Sequence, residues 1–403
     1  MVKSYVITID EVDEPKDAVA LLRESLSKLP AFDKNALGII SAHADAFYSG
    51  VYDAICNEFP FPLIGISCDS HGANDLIGGS MISVTVLTGT DFEAVGGYID
   101  ASCIEEDFFA ISAKSTKSPK LALLYTPFAE KRFPSKYIDV ISVANPTLPI
   151  FGGVAKGKST YERADGTPQD GNLVFWNGKA SADSAAVVLI CGDFAPKFFV
   201  STLNSKDFLA NDVGVVTKAE ENRLCEINCI NAPEFLGKFG FDKKIKSNYA
   251  NADAGLLATT FVLDCGMYCD INCKENCRAA KQIISRSPIE FTDDSVICAG
   301  KIVEGAQVSI TVSTPESVIE SAKEMIEAIK ASGAETALMY SCVGRQVGLY
   351  AKPLEEIETL QAEFKDKLDY SVAYVGGEIC PTCVISESVN NHEHNQTLIA
   401  CVF

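Results

Sequence analysis

A chain of 403 residues exceeds what one hydrophobic core usually serves, and 47% hydrophobic against 22% charged residues is the composition of a folded protein rather than a disordered one. With 34 basic against 54 acidic residues the formal charge is -20, which repels phosphate backbones and anionic lipid and makes nucleic acid and membrane surfaces poor partners. The opening MVKSYVITIDEV reaches acidic residues after a short apolar stretch, and no apolar run approaches the roughly 18 residues of a membrane helix, so a soluble cytoplasmic protein is expected. Fifteen cysteines, an odd number in a long chain without a secretory signal, read as mostly reduced thiols rather than a disulfide framework.

Short strands and amphipathic helices alternate from the start. SYVITI reads as a strand, and Val19, Leu22, Leu26 and Leu29 form one helical face after Pro15. ALGIIS is a second strand, Phe47, Val51, Ile55 and Phe59 a second helical face, and PLIGIS a third strand entering CDSHG. SMISVTVLTG and EAVGGYI follow closely enough to pair antiparallel. The order then recurs: LALLY is a strand, Pro134 to Val143 a helix, and LPIFGGVAKG a strand running into a glycine loop. NLVFWNG, AAVVLICG and KFFVST supply further strands, with Asn177-Gly178 as a hairpin turn.

A third copy lies near the end. Thr314-Pro315 opens a helix with Val318, Ala322, Met325, Ile326 and Ile329 on one face, and Gly333 closes it. TALMYSCVGR is a strand, Ile357, Leu360 and Phe364 mark a helix, SVAYVGGEI is a strand into a glycine turn, and TLIACVF is the last strand. The expected fold class is therefore α/β (mixed α+β), with repeated β-α-β-α-β-β units forming mixed sheets. Two domains, 1–210 and 211–403, meet in the polar stretch between Asn204 and Arg223, which lacks sustained periodicity.

VEGAQVSITV, YSCVGR, GGEICP and HNQT, in that order, resemble the C-terminal domain of the FIST family, whose pattern has an eG turn, a CxGR, a GE and an hNxT. LIGISCDSHG and PIFGGVAKG followed by NLVFWNG are similar to its N-terminal domain. The resemblance implies a non-enzymatic sensory input module that binds small ligands such as amino acids, with some relatives being haem proteins that sense nitric oxide. No kinase or cyclase segment follows HNQT, so a separate signalling protein such as a histidine kinase is the expected partner.

Ligand-binding candidates follow from those motifs. Arg345 and Glu378 each follow a strand and stand at equivalent strand ends, where a guanidinium fork and a carboxylate would complement a zwitterion; a structural salt bridge between them is the competing reading. Asn395 and Thr397 alternate on the final strand, and Cys342 and Gly377 belong to the same motifs. Cys380 and Cys383 with His392 and His394 make an arithmetically complete four-ligand zinc set, and His394 is also a candidate haem ligand. Cys265, Cys269, Cys273 and Cys277 recur every fourth residue, too spread for one metal if helical. The preferred reading needs no cofactor; haem or zinc belongs to the alternative, a gas sensor or cysteine-based metal or redox protein.

Two catalytic patterns are weak. GGVAKGKS satisfies the P-loop expression, but the breaker-rich TYERADGTPQDG behind it cannot begin the helix that phosphate binding needs. Cys68 and His71, three residues apart in a loop, make a poor thiolate and base.

Overall fold

The computed structural model describes residues 2–32, 34–128, 134–202, 208–239, 259–264, 283–384 and 388–403. Three copies of one unit follow each other along the chain. The first runs β1 (Lys3–Ile9), α1 (Pro15–Leu26), β2 (Ala36–Ala42), α2 (Asp45–Tyr48), α3 (Val51–Cys56), β3 (Leu63–Ser67), a hairpin of β4 (His71–Ala73) and β5 (Leu76–Gly78), then β6 (Ile82–Thr88). The second runs β7 (Glu93–Ile99), α4 (Ile104–Ser112), β8 (Pro119–Pro127), α5 (Pro134–Ala144), β9 (Ile150–Ala155), a hairpin of β10 (Val174–Trp176) and β11 (Lys179–Ser181), then β12 (Ala185–Cys191).

The third unit starts with β13 (Lys197–Ser201) and is interrupted by an insertion. That insertion contains β14 (Phe208–Glu220), β15 (Arg223–Ile227), β16 (Ile230–Asn231), α6 (Ala232–Gly237), β17 (Thr259–Asp264), β18 (Ile283–Arg286), β19 (Pro288–Phe291), β20 (Val296–Cys298) and β21 (Gln307–Val312). The unit resumes with α7 (Pro315–Ser332), β22 (Thr336–Cys342), α8 (Val343–Gly348), α9 (Glu355–Phe364), β23 (Asp369–Val375), a hairpin of β24 (Glu378–Val384) and β25 (Val389–His394), then β26 (Leu398–Val402).

Each unit builds four strands of a six-stranded sheet and borrows the other two. The orders are β1-β6-β2-β3-β10-β11, β7-β12-β8-β9-β24-β25 and β13-β26-β22-β23-β4-β5. The central pair is parallel in every case and the flanking pairs antiparallel. The first unit lends its hairpin to the third, the third to the second, and the second to the first, closing a ring of exchange. SMISVTVLTG and EAVGGYI thus do not pair with each other, contrary to expectation: β6 lies between β1 and β2, whereas β7 lies against β12. Proximity in sequence loses to the repeated unit, in which one is a last strand and the other a first.

Strand alternation divides each sheet into two faces. Inward residues, including Leu37, Ile64, Leu123, Phe151, Leu338 and Ile399, form one core shared by all three sheets. At its centre the hydroxyls of Tyr125 and Tyr340 hydrogen-bond at 2.6 Å, which satisfies two buried polar groups together. Outward faces are covered by α1 and α3, by α4 and α5, and by α7 and α9. The Thr314 side chain accepts from the Ser317 N–H, the Ser317 hydroxyl takes the Thr314 N–H, and Gly333 ends α7 at φ +69°. Asn177 and Gly178 turn the β10–β11 hairpin at φ +46° and +81°.

The inserted strands form a separate sheet, ordered β18-β17-β21-β14-β15-β20-β19 with β16 beside β15, and a core of their own under α6. The polar stretch expected to be a boundary is largely β14, a strand of 13 residues that starts this sheet. Strands from both sides of residue 210 share the second and third sheets, because β24 and β25 join β9 while β4 and β13 join β23 and β26.

Two glycines are demanded by close approach between the parallel pairs. A Cβ on Gly65 would lie 1.7 Å from the Ile40 carbonyl oxygen, and one on Gly152, at φ +155°, 1.9 Å from that of Leu124. Both clashes are with backbone, which cannot yield without breaking a ladder. Gly65→Ala and Gly152→Ala are each expected to destabilise the protein by about 3 kcal/mol or more, measurable by urea unfolding, whereas Gly237→Ala, with nothing within 4 Å, should be near neutral.

Candidate functional site

The motifs of the third unit converge in one buried cluster at the carboxyl ends of β22 and β23. These strands pair in parallel register, Cys342 opposite Val375, so the segments beyond them emerge side by side. Cys342 ends β22 and Arg345 lies in the first turn of α8. Glu378 is the first residue of β24, which leaves the sheet of β22 and pairs with β9. Residues 395–397 form the turn between β25 and β26 rather than part of the final strand, with Gln396 at φ +55°. Gly344 is needed there, since a Cβ would meet the Gln396 amide at 2.2 Å.

Arg345 and Glu378 come into the same cluster, yet Arg345 does not pair with Glu378. Its Nε donates to Glu356 Oε1 at 2.9 Å and its Nη2 to the same oxygen at 2.5 Å, to Ser321 Oγ at 2.9 Å and to the Val318 carbonyl at 3.1 Å. The other Glu356 oxygen accepts from Ser341 Oγ at 2.6 Å. Both members of this ion pair are fully buried. Glu356 went unnoticed in the sequence although a signal existed: it stands four residues before Leu360 and eight before Phe364, a charge in line with an apolar helical stripe.

Glu378 has a different environment. Its Oε2 accepts from the Thr397 hydroxyl and, at 3.3 Å, from the Thr397 N–H. Cys342 lies beside it, its thiol pushed up by burial. Burial outweighs these bonds and drives the Glu378 carboxyl up to about 8. Several polar atoms of the cluster, all enclosed, lack a hydrogen-bond partner: Arg345 Nη1, Glu378 Oε1 and Asn395 Oδ1. The Tyr374 hydroxyl stands beside Glu356 without a well-formed bond. An orphaned buried polar atom costs about 1–3 kcal/mol, so several in one cluster call for a partner.

The metal candidates are placed differently. Cys380 and His392 face each other across the β24–β25 ladder, and His394 opposes Glu378. Cys380 belongs to the shared core, where burial raises its thiol. His394 is fully buried with Nε2 held 3.0 Å from the Cys380 carbonyl oxygen, and burial depresses it to about 4, leaving a neutral imidazole. His394 Nδ1 has no hydrogen-bond partner, but a haem needs an open face beside such a nitrogen, and the ring is fully enclosed, so His394 as placed does not fit that group. Among the described residues no three His, Cys, Asp or Glu side chains gather as a metal site. The Cys383 side chain and the whole of Cys265, Cys269, Cys273 and Cys277 lie outside the described residues.

The catalytic look-alikes are likewise accounted for. No helix follows β9; instead the Lys158 N–H donates to Asp69 at 2.6 Å, and Asp45 accepts from Ser159 and Thr160. Carboxylates therefore occupy the amides that a P-loop would offer to phosphate. Cys68 Sγ does lie 3.4 Å from His71 Nδ1, but burial raises the thiol and lowers the imidazole to about 3, the reverse of what a thiolate–imidazolium pair needs.

Two outcomes are expected of this cluster. Arg345→Ala should cost about 3–5 kcal/mol in urea unfolding by stranding the Glu356 charge, and the apolar pair Arg345→Met with Glu356→Leu should recover most of it. The raised Glu378 carboxyl binds its proton more tightly in the native state than in the unfolded one. Its stabilising contribution is therefore complete below about pH 4.5 and is lost as pH rises towards 8. A pH series of unfolding free energies should decline less steeply over that window in Glu378→Gln than in the wild type.

A family model described as the FIST N domain matches residues 36–230, and one described as the FIST C domain matches residues 251–381. No curated protein matches the chain. FIST domains are known as sensory modules for small ligands in signal transduction. With both domains matched in order along one chain, and three of the four C-terminal motifs gathered into a single cluster, this protein belongs to the FIST family.

Proposed function

We propose that this FIST protein is a cytoplasmic sensory module that binds a small zwitterion, an amino acid or a similar charged metabolite, in the cluster around Arg345 and Glu378, and signals to a separate protein such as a histidine kinase. The observation that carries this reading is the set of orphaned polar atoms of both kinds. Arg345 Nη1 and the Tyr374 hydroxyl are donors suited to a carboxylate, and Glu378 Oε1 and Asn395 Oδ1 are acceptors suited to an ammonium. Thr397 and Cys342 hold Glu378 in place, and Gly377 leaves room beside Asn395, whose amide nitrogen lies 3.6 Å from where its Cβ would be.

A surface groove of about 780 Å³ lies between α7 and the segment that joins α8 to α9, lined by Pro315, Ile319, Leu349 and Tyr350. The cluster itself is enclosed, so ligand entry requires a local opening, with the Arg345–Glu356 pair as the contact that ligand binding perturbs. A binding role rather than catalysis is supported by the neutral, buried state of Cys68 and His71, which does not suit them as nucleophile and base. A cytoplasmic setting is supported by ten described cysteines that are all free thiols.

Thermal melting of the purified protein against a panel of amino acids tests the proposal. At ligand 100-fold above Kd, the wild type should gain about 2.7 kcal/mol. Asn395→Ala, which spares the Arg345–Glu356 pair, should respond to the same ligand at least about tenfold more weakly. If no zwitterion shifts the wild type, or if Asn395→Ala and Glu378→Gln respond like it, the assignment fails.

A further inference from the structure

A second polar cavity, of about 170 Å³, lies away from this cluster at the seam between the inserted sheet and the three-sheet body. From the insertion come Arg286, at the end of β18, and Lys301; from the body come Ser135 and Asp139 of α5 and Glu393 of β25. Ligand sites favour junctions of this kind, where two separately packed cores meet. The volume is well below the roughly 300–1,000 Å³ of drug-sized sites, but several times the roughly 30 Å³ share of one water, so the cavity suits a molecule of few heavy atoms.

The charges are arranged in two tiers. At the rim, Lys301 Nζ bridges to Asp139 Oδ2 at 2.7 Å, joining insertion to body through two half-exposed side chains. Beneath it, Glu393 is 6% exposed. Its carboxylate accepts from the Ser135 N–H, but Oε2 has no hydrogen-bond partner. Arg286 is close, yet its Nε donates to the Lys301 carbonyl at 2.8 Å and its Nη1 to the carbonyls of Ser285, at 2.9 Å, and Glu393, at 3.1 Å. Those N–H groups brace the backbone across the seam. Gly300, at φ +108°, presses the inserted loop onto the carboxyl, because a Cβ there would sit 3.1 Å from its carbon.

A buried carboxylate oxygen facing a small cavity, with a second carboxylate at the mouth held by a displaceable lysine, is the recognition chemistry of an ammonium group. We infer that the seam cavity binds a small organic ammonium ion, whose N–H groups complete Glu393 Oε2 and whose charge replaces Lys301 beside Asp139. Exchange at Asp139 releases the rim contact between insertion and body. Glu393 lies two residues before Asn395, so the seam and the motif cluster share the end of β25 and the turn after it. The site stands on different residues from the zwitterion reading and does not require it.

Thermal melting of the full chain with propylammonium chloride, compared with sodium propionate and propionamide at matched ionic strength, tests the inference. Propylammonium should raise the melting temperature saturably, and the two matched probes should not. Glu393→Gln should weaken binding at least about tenfold, the loss of a hydrogen bond to a charged group. Asp139→Asn, a surface change that leaves the core intact, should weaken it by up to about fivefold. No shift with propylammonium, an equal shift with propionamide, or an undiminished shift in Glu393→Gln overturns the inference. Should Glu393→Gln fail to fold, an unchanged affinity in Asp139→Asn overturns it equally.

Discussion

Hydrogen bonding at the edges of three sheets is the constraint on which the rest of the structure depends. Each unit supplies four strands and leaves the outer side of its parallel pair open after β3, β9 or β23, and an open strand edge is a row of unpaired donors and acceptors. The borrowed hairpin covers it: β10 on β3, β24 on β9 and β4 on β23. No unit can therefore be completed without the next, and the three inward faces are drawn around one core that none of them could close alone. The turns before the hairpins lie where the parallel strands end.

That geometry explains why the polar cluster forms where it does. The ends of β22 and β23 and the start of β24 meet at the crossing from one sheet to another, so backbone must turn inside the protein and its neighbours must be polar. Thr397 and Glu378 satisfy each other there, and Cys342 N–H donates to the Thr397 carbonyl at 3.0 Å. A fully buried Arg345 is tolerated because Glu356, Ser321 and the Val318 carbonyl surround it with acceptors. Such a pair stabilises less than its short distances suggest, since desolvation offsets most of the attraction. It does make the arrangement specific, and any ligand reaching the cluster must contend with it.

The insertion adds a second kind of junction. It carries its own core and touches the body where β18 lies against β25, with Lys301–Asp139 at the rim and the Arg286 brace beneath. A seam held by a few polar contacts opens more readily than a packed core. Because β25 leads straight into the 395–397 turn, displacement at the seam and rearrangement in the cluster share one strand.

Much of this was legible in residue order. The threefold recurrence of strand, helix, strand, helix and strand, the Thr314 cap, the Asn177-Gly178 turn and the four C-terminal motifs all follow local rules: side-chain period, turn chemistry and spacing within a few residues. The motif residues Cys342, Arg345, Glu378, Asn395 and Thr397 are candidates through the resemblance to the FIST family, and all five belong to one cluster. What local rules do not carry is the identity of a partner remote in sequence. A hairpin that follows β3 could cap its own sheet or another, and strand periodicity is the same in either case. Arg345 likewise offers five donors without stating which carboxylate meets them, and Glu378 was as good a candidate as Glu356 until α9 was packed. The amino-acid sequence alone determined the elements, their repetition and the motif residues of the cluster; the tertiary structure alone decided the exchange of hairpins, the place of Glu356, Ser321 and Tyr374 beside those motifs and the seam at Glu393, because those contacts depend on which surfaces exclude water together.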